Sequence, residues 1–234
     1  MEYFVRSCLN NIPPEKFATI MSKVESLPAP KVSKYQNLCL KYYESNIPIE
    51  YWDISIEKDF KGNKKIPQIY KEYIGNGQDN LYVGKSFYIA GTHGIGKTFL
   101  LTSILKTMAI RNHSCLYTTL GAIVNTLTSA PNSDRYQAGV ELNKVSFLAI
   151  DEFDQRFVLS NAAADLYMSI LESILRVRLQ NRLPTLIATN SPNILESFSG
   201  SLKESLVSLF NRLDKYMVMD EDYRKKHVER KTSS

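Results

Sequence analysis

The stretch Ser86-Phe-Tyr-Ile-Ala-Gly91-Thr-His-Gly-Ile-Gly-Lys97-Thr98-Phe99 decides how this chain is read. Its centre, Gly91 to Thr98, has the spacing G-x-x-x-x-G-K-T. Ahead of it, residues 86–90 form a short apolar run that predicts a strand. Behind it, residues 99–110 predict an amphipathic helix. Strand, Gly-rich loop and helix are together the setting in which such a loop binds phosphate. Glycines let successive backbone N–H groups turn inward around phosphate oxygens, and the helix N-terminus adds partial positive charge. Here Gly91, Thr92, His93, Gly94, Ile95 and Gly96 would form the cradle, with Phe99 at its exit. Lys97 would reach the β- and γ-phosphates, and the Thr98 hydroxyl would join a Mg2+ coordination sphere. The eight-residue spelling also occurs in ordinary Gly-rich turns, so its flanks carry the argument. They point to a bound nucleoside triphosphate.

Two later apolar runs end in polar groups that suit the same chemistry. Residues 145–150 read as a strand buried on both faces, and it runs into Asp151-Glu152. At the carboxyl edge of a parallel sheet, Asp151 would hold Mg2+ directly or through water. Glu152 would polarise a water attacking the γ-phosphate. Two acids capping a strand is the plainer alternative, which the Gly-rich loop upstream weighs against. Pro184-Thr-Leu-Ile-Ala-Thr-Asn190 predicts another buried strand, whose Asn190 can bond the attacking water. Asn190-Ser-Pro192 is also good turn chemistry. Arg212, expected at the end of a helix over 203–212, is comfortable there on electrostatic grounds alone. In a ring or filament of ATPases it would instead enter a neighbour's site and stabilise the transition state.

Size and composition set the frame. The chain has 234 residues, enough for one α/β domain plus a small appendage. Hydrophobic content of 44% and charged content of 23% are those of ordinary globular proteins. No apolar run is long enough to cross a bilayer and the N-terminus lacks a signal-peptide layout, so a cytoplasmic protein with no membrane partner is expected. Cys8, Cys39 and Cys115 are widely spaced, which disfavours a zinc site or a disulfide framework. A net charge of +5 is compatible with nucleic acid without requiring it. The densest basic stretch is 223–231, either a solvated tail or a phosphate contact.

The first fifty residues differ from the rest. Phe17, Ile20, Met21 and Val24 fall on one helical face after Pro13-Pro14, and Leu27-Pro-Ala-Pro30 breaks that pattern. Tyr35, Leu38, Cys39 and Tyr42 make a second face. Two such short helices cannot build a core alone, so they dock on the main domain or on a partner. An extended connector is expected over 46–53, and a helix over 66–74 closed by Gly75-Asn-Gly77. Strands over 114–119 and 216–219 and helices over 120–127, 132–142 and 162–180 complete the alternation. That alternation predicts an α/β fold, a mostly parallel sheet sandwiched by helices.

The order of these motifs resembles the AAA+ superfamily and, within it, the DnaC/DnaI/IstB-type ATPases. The resemblance rests on Asn46-Ile-Pro48, Gly91 to Thr98, Ile150-Asp-Glu152, the 184–190 strand, Asn211-Arg-Leu213 and Asp222-Tyr-Arg224. It covers residues 46–226, with 1–45 as a helical N-terminal partner-binding extension and 227–234 as a basic C-terminal tail. It implies a P-loop ATPase core of the ASCE type with little or no lid domain, using ATP and Mg2+. Lys97 and Thr98 carry over as Walker A contacts, Asp151 and Glu152 as Walker B, and Asn190 as sensor 1. Arg212 carries over as the arginine finger, or another arginine takes that role, and Arg224 as a basic residue near the nucleotide or interface. Helicase loaders of this type assemble into homo-oligomers with shared ATP sites, bind single-stranded DNA and deliver a replicative helicase; the N-terminal helices would grip it. IstB-like members regulate DNA transposition instead. A small-molecule P-loop kinase is disfavoured because the acids and Asn190 suit water as the acceptor. Two features depart from the family: a second acid follows at Asp154, where Gly is common, and no zinc-bearing N-terminal domain is evident.

Overall fold

Five segments of five residues each supply the sheet: β1 (Phe87–Gly91), β2 (Cys115–Thr119), β3 (Phe147–Asp151), β4 (Thr185–Thr189) and β5 (Asp214–Val218). A computed structural model describes residues 13–25, 29–153, 161–197 and 200–219. All neighbouring strands run parallel, in the order β2-β3-β4-β1-β5. β1, β3 and β4 are buried along their whole length, as continuous apolar strands covered on both faces must be. β5 is an edge strand and largely exposed.

The helices are α1 (Pro14–Glu25), α2 (Ala29–Glu44), α3 (Lys65–Gly75), α4 (Gly77–Val83), α5 (Lys97–Ile110), α6 (Leu120–Ser129), α7 (Asn132–Lys144), α8 (Asn161–Gln180) and α9 (Gly200–Phe210). The period-2 alternation of the strands divides the core in two. Phe87, Ile89, Tyr117, Phe147 and Ala149 face α5 and the helices preceding it in sequence. Tyr88, Leu116, Leu148, Ile150 and Ile187 face the layer built from α6 to α9.

Helix α5 is not the half-exposed amphipathic helix its sequence predicts. Leu100, Leu101, Ile104, Leu105 and Met108 are wholly enclosed, because α2 and α3 cover the side turned away from the sheet. Each such side chain contributes about 1.5–3 kcal/mol relative to exposure. The N-terminal helices therefore dock on their own chain: Val24, Cys39 and Tyr42 are buried in this core, and Phe17 stacks on Tyr43.

Several boundaries differ from the sequence reading for local reasons. Pro30 sits in the first turn of α2, where a missing N–H is tolerated, so the break is shorter than expected. The connector after α2 is not extended throughout; Ile49–Tyr51 forms a 3-10 turn. Gly77 does not end the helical region but opens α4, a seven-residue helix closed by Gly84 in the left-handed conformation. Helix α9 ends at Phe210, leaving Arg212 in the following turn. Cys8, Asp154, Arg224, the 223–231 basic stretch and the 227–234 tail lie outside the described residues.

Candidate nucleotide site

The loop between β1 and α5 owes its shape to its glycines. Gly94 and Gly96 have φ of 75° and 102°, values that L side chains rarely adopt. Gly91 is needed for another reason: a Cβ there would lie 2.0 Å from the Val218 carbonyl oxygen of β5. Ile95 is fully buried and anchors the loop in the core, while His93 is exposed. Lys97 opens α5 nearly enclosed, and its Nζ donates to the Gly91 and Thr92 carbonyl oxygens, each at 2.8 Å.

Strand β3 brings the acids to this loop. The Thr98 hydroxyl donates to Asp151 Oδ2 at 2.6 Å, closing a contact across 53 residues of sequence. Asp151 is 3% exposed, and its other oxygen accepts the Glu152 N–H at 2.8 Å. Glu152 is exposed and has a left-handed φ of 51°, a conformation rare for a residue of this type. The chain then hooks back onto β4: Phe153 N–H donates to Ala188 O at 3.0 Å, and the Thr189 hydroxyl donates to Phe153 O. Asn190 follows Thr189 directly, so it stands on the same carboxyl edge, between the end of β3 and the loop after β1.

Among the described residues, Arg212 is the one predicted site residue that the fold does not bring to this edge. It is exposed in the turn before β5, and the β5 start, Asp214, is level with Phe87 at the start of β1. That is the amino edge of the sheet, a strand length from the Gly-rich loop.

Three residues that the sequence reading missed shape the site. Tyr117 of β2 donates its hydroxyl to Asp151 Oδ2 at 2.9 Å. Burial, followed by the nearby Asp151 carboxylate, pushes the Tyr117 phenol far above its ordinary range, so it remains a donor. The Phe60 ring lies against Gly96, where a Cβ would come within 2.4 Å of it, and packs on Phe99 at 5.3 Å between centroids. Lys106 of α5 fastens the connector that leads to Phe60, donating to Tyr51 O at 2.6 Å and Ile54 O at 2.5 Å. Strand alternation places Tyr117 on the face toward α5; nothing local signals Phe60 or Lys106.

The donor set suits Mg2+. A hydroxyl and a buried carboxylate converge beside the Gly-rich loop, and Mg2+ takes one or two protein oxygens when phosphates and water complete its shell. Among the described residues, no three His, Cys, Asp or Glu side chains cluster to hold a metal by themselves.

Solved structures share this architecture. That of DnaI superposes with a TM-score of 0.60 at 18% identity, covering 74% of this chain and 93% of that one. The DnaC helicase loader gives 0.58 at 17% identity, covering 74% of this chain and all of that one (100%). The chain has the DnaC/DnaI-type AAA+ fold. The replication initiator DnaA, in a structure bound to AMPPCP and single-stranded DNA, gives 0.59 at 17% identity; 75% of this chain matches 51% of that one. The α/β P-loop reading of the sequence is thereby borne out at the level of the AAA+ fold. No family model matches the chain, and no curated protein matches it by sequence. Among the described residues, no helix is long and apolar enough to cross a membrane.

Proposed function

We propose that this chain is an ATPase of the helicase-loader type: it hydrolyses ATP with Mg2+, assembles on single-stranded DNA as a homo-oligomer, and delivers a replicative helicase. The observation that carries the chemical part is the Thr98–Asp151 contact at the mouth of the Gly-rich loop. It joins a phosphate cradle to an acid-bearing strand, as hydrolysis requires. Lys97 exchanges the Gly91 and Thr92 carbonyls for phosphate oxygens. Thr98 and Asp151 would hold Mg2+, which would supply neutralisation of the triphosphate's charge. Glu152 accepts a proton from the attacking water, and Asn190 orients that water. Arg212, on the opposite edge of the sheet, serves a neighbouring subunit's site rather than its own.

The DNA and helicase parts draw on resemblance. One structural neighbour is a helicase loader, and another was solved with single-stranded DNA. The surface of α1 and α2 turned away from α5 is the proposed helicase grip. Removing those helices would uncover α5, so truncation would mix unfolding with loss of a partner. A cleaner test measures ATP hydrolysis with single-stranded or duplex DNA at fixed salt, because phosphate contacts are salt-sensitive. Greater stimulation by single strands is expected, together with loss of that stimulated rate in Arg212→Ala. Preference for duplex would favour the transposition-regulator reading, and indifference to both would remove the DNA part.

A further inference from the structure

Tyr117 is tied at both ends. Its hydroxyl donates to Asp151 Oδ2 at 2.9 Å, the same oxygen that accepts Thr98 Oγ1 at 2.6 Å. The Glu152 N–H satisfies Oδ1 at 2.8 Å. The carboxylate thus takes one donor from α5, one from β2 and one from the end of its own strand. Of these, Thr98 is the group expected to turn toward a cation, whereas the Tyr117 hydroxyl can keep the carboxylate in place while it does so.

The main chain of the same residue meets the N-terminal region. Tyr117 N–H donates to Ser45 O at 2.8 Å, and the Asn46 side-chain amide donates to Tyr117 O at 2.8 Å. β2 is the edge strand opposite β5, and these two bonds stand where a further strand would pair. Asn46 is buried and left-handed, with φ of 54°, at the exit of α2. Asn tolerates this conformation better than most residues, and its side chain here completes a sheet edge. A continuous path of hydrogen bonds therefore runs from the end of α2, through Asn46 and Tyr117, to Asp151 and Thr98.

We propose that Tyr117 is a positioning residue for Asp151, held in register by Asn46, so that docking of the N-terminal helices sets the metal side of the nucleotide site. The proposal rests on the reading of Asp151 as the Mg2+-side carboxylate. The Tyr117 hydroxyl is committed to Asp151 Oδ2. It acts by fixing the rotamer of a ligand, and outer-shell partners of this kind change metal affinity by about 10- to 100-fold.

The test is binding of a fluorescent ATP analogue to the full chain, titrated with Mg2+ and repeated in chelator. In Tyr117→Phe the Mg2+ midpoint should rise about 10-fold, with metal-free binding unchanged. Asn46→Gly keeps the left-handed backbone accessible but removes the amide, and should shift the midpoint in the same direction by less. The double variant should shift no further than Tyr117→Phe, because both act through one element. An unmoved midpoint in Tyr117→Phe, or equal losses with and without Mg2+, would overturn the positioning role. Additive shifts would overturn the part assigned to Asn46. Unmutated protein whose analogue binding ignores Mg2+ would instead sink the reading of the site itself, so the two failures are distinct.

Discussion

The two ends of the central strands treat buried charge in opposite ways. At the amino ends of β3 and β4, Arg178 of α8 is 0% exposed. Its guanidinium donates to Leu142 O, Val145 O, Pro184 O and Thr185 Oγ1 at 2.7 to 3.0 Å. Burial pushes its pKa down to about 9, and the ring of oxygens around the planar fork compensates. At the carboxyl ends, Lys97 and Asp151 are nearly as enclosed, but Lys97 donates to the Gly91 and Thr92 carbonyls where β1 enters the Gly-rich loop, and Asp151 accepts two hydroxyls and the Glu152 N–H. A phosphate and a cation can take over some of those contacts without disturbing a strand. One charge is completed by the fold; the other pair keeps contacts that a ligand can replace. Burial alone does not set the two ends apart, since both offer carbonyls and hydroxyls; the position of those partners, beside a Gly-rich loop or within the fold, does.

Breaking the amino end should have the largest effect. Arg178→Met leaves several buried oxygens short of a donor and should lower unfolding stability by about 3 kcal/mol or more. Denaturant titration reads this directly, and near-normal stability would dissolve the contrast. At the carboxyl end, Lys97→Ala should weaken ATP binding by about 1.5–3 kcal/mol while changing stability far less. Calorimetric binding set beside the same denaturant curve separates the two. A Lys97 variant that unfolds as readily as the Arg178 variant would mean both ends are structural.

The smallest effect concerns pH and the apolar character of the amino end. Cys115, at the start of β2, has its thiol pushed up from 9.0 to about 12 by burial. Because the folded pKa lies above the unfolded one, its contribution is intact below about pH 9 and is lost as pH rises toward 12. Between pH 8 and 10 this amounts to about 1.4 kcal/mol. Arg178, pushed down to about 9, acts in the opposite direction over the same window. The thiol is therefore read as the difference between the thermal-unfolding profiles of the unmutated protein and Cys115→Ala, which should match that decline. Tyr42 and Tyr88, both pushed up to about 12 chiefly by burial, steepen the slope only above pH 10.

The parts of this molecule that were legible in sequence depend on neighbours along the chain. The apolar runs became β1, β3 and β4, and the Gly-Lys-Thr loop opened α5 where its spacing required. The late boundaries failed where two local signals compete. Gly77 can end one helix or begin the next, and Arg212 belongs to a turn because α9 stops at Phe210. Tyr117, Phe60, Lys106 and Arg178 were not read at all. Each acts through partners on another element, such as Tyr117 on Asp151 or Lys106 on Tyr51 and Ile54. Hydrophobic periodicity carries no information about those pairings.

What the sequence by itself determined is the Gly-rich loop between a strand and a helix, the acids at the end of an apolar strand, and the alternation that makes a parallel α/β sheet. These follow from backbone conformational limits and from side-chain period, which are properties of adjacent residues. Only the tertiary structure decided that β3 and β4 lie between β2 and β1, so that Asp151 meets Thr98 and receives the Tyr117 hydroxyl. It alone placed Arg212 on the far edge and Asn46 on the flank of β2. The reason is that strand order and edge closure come from burying both faces of one sheet at once, a condition no single segment contains.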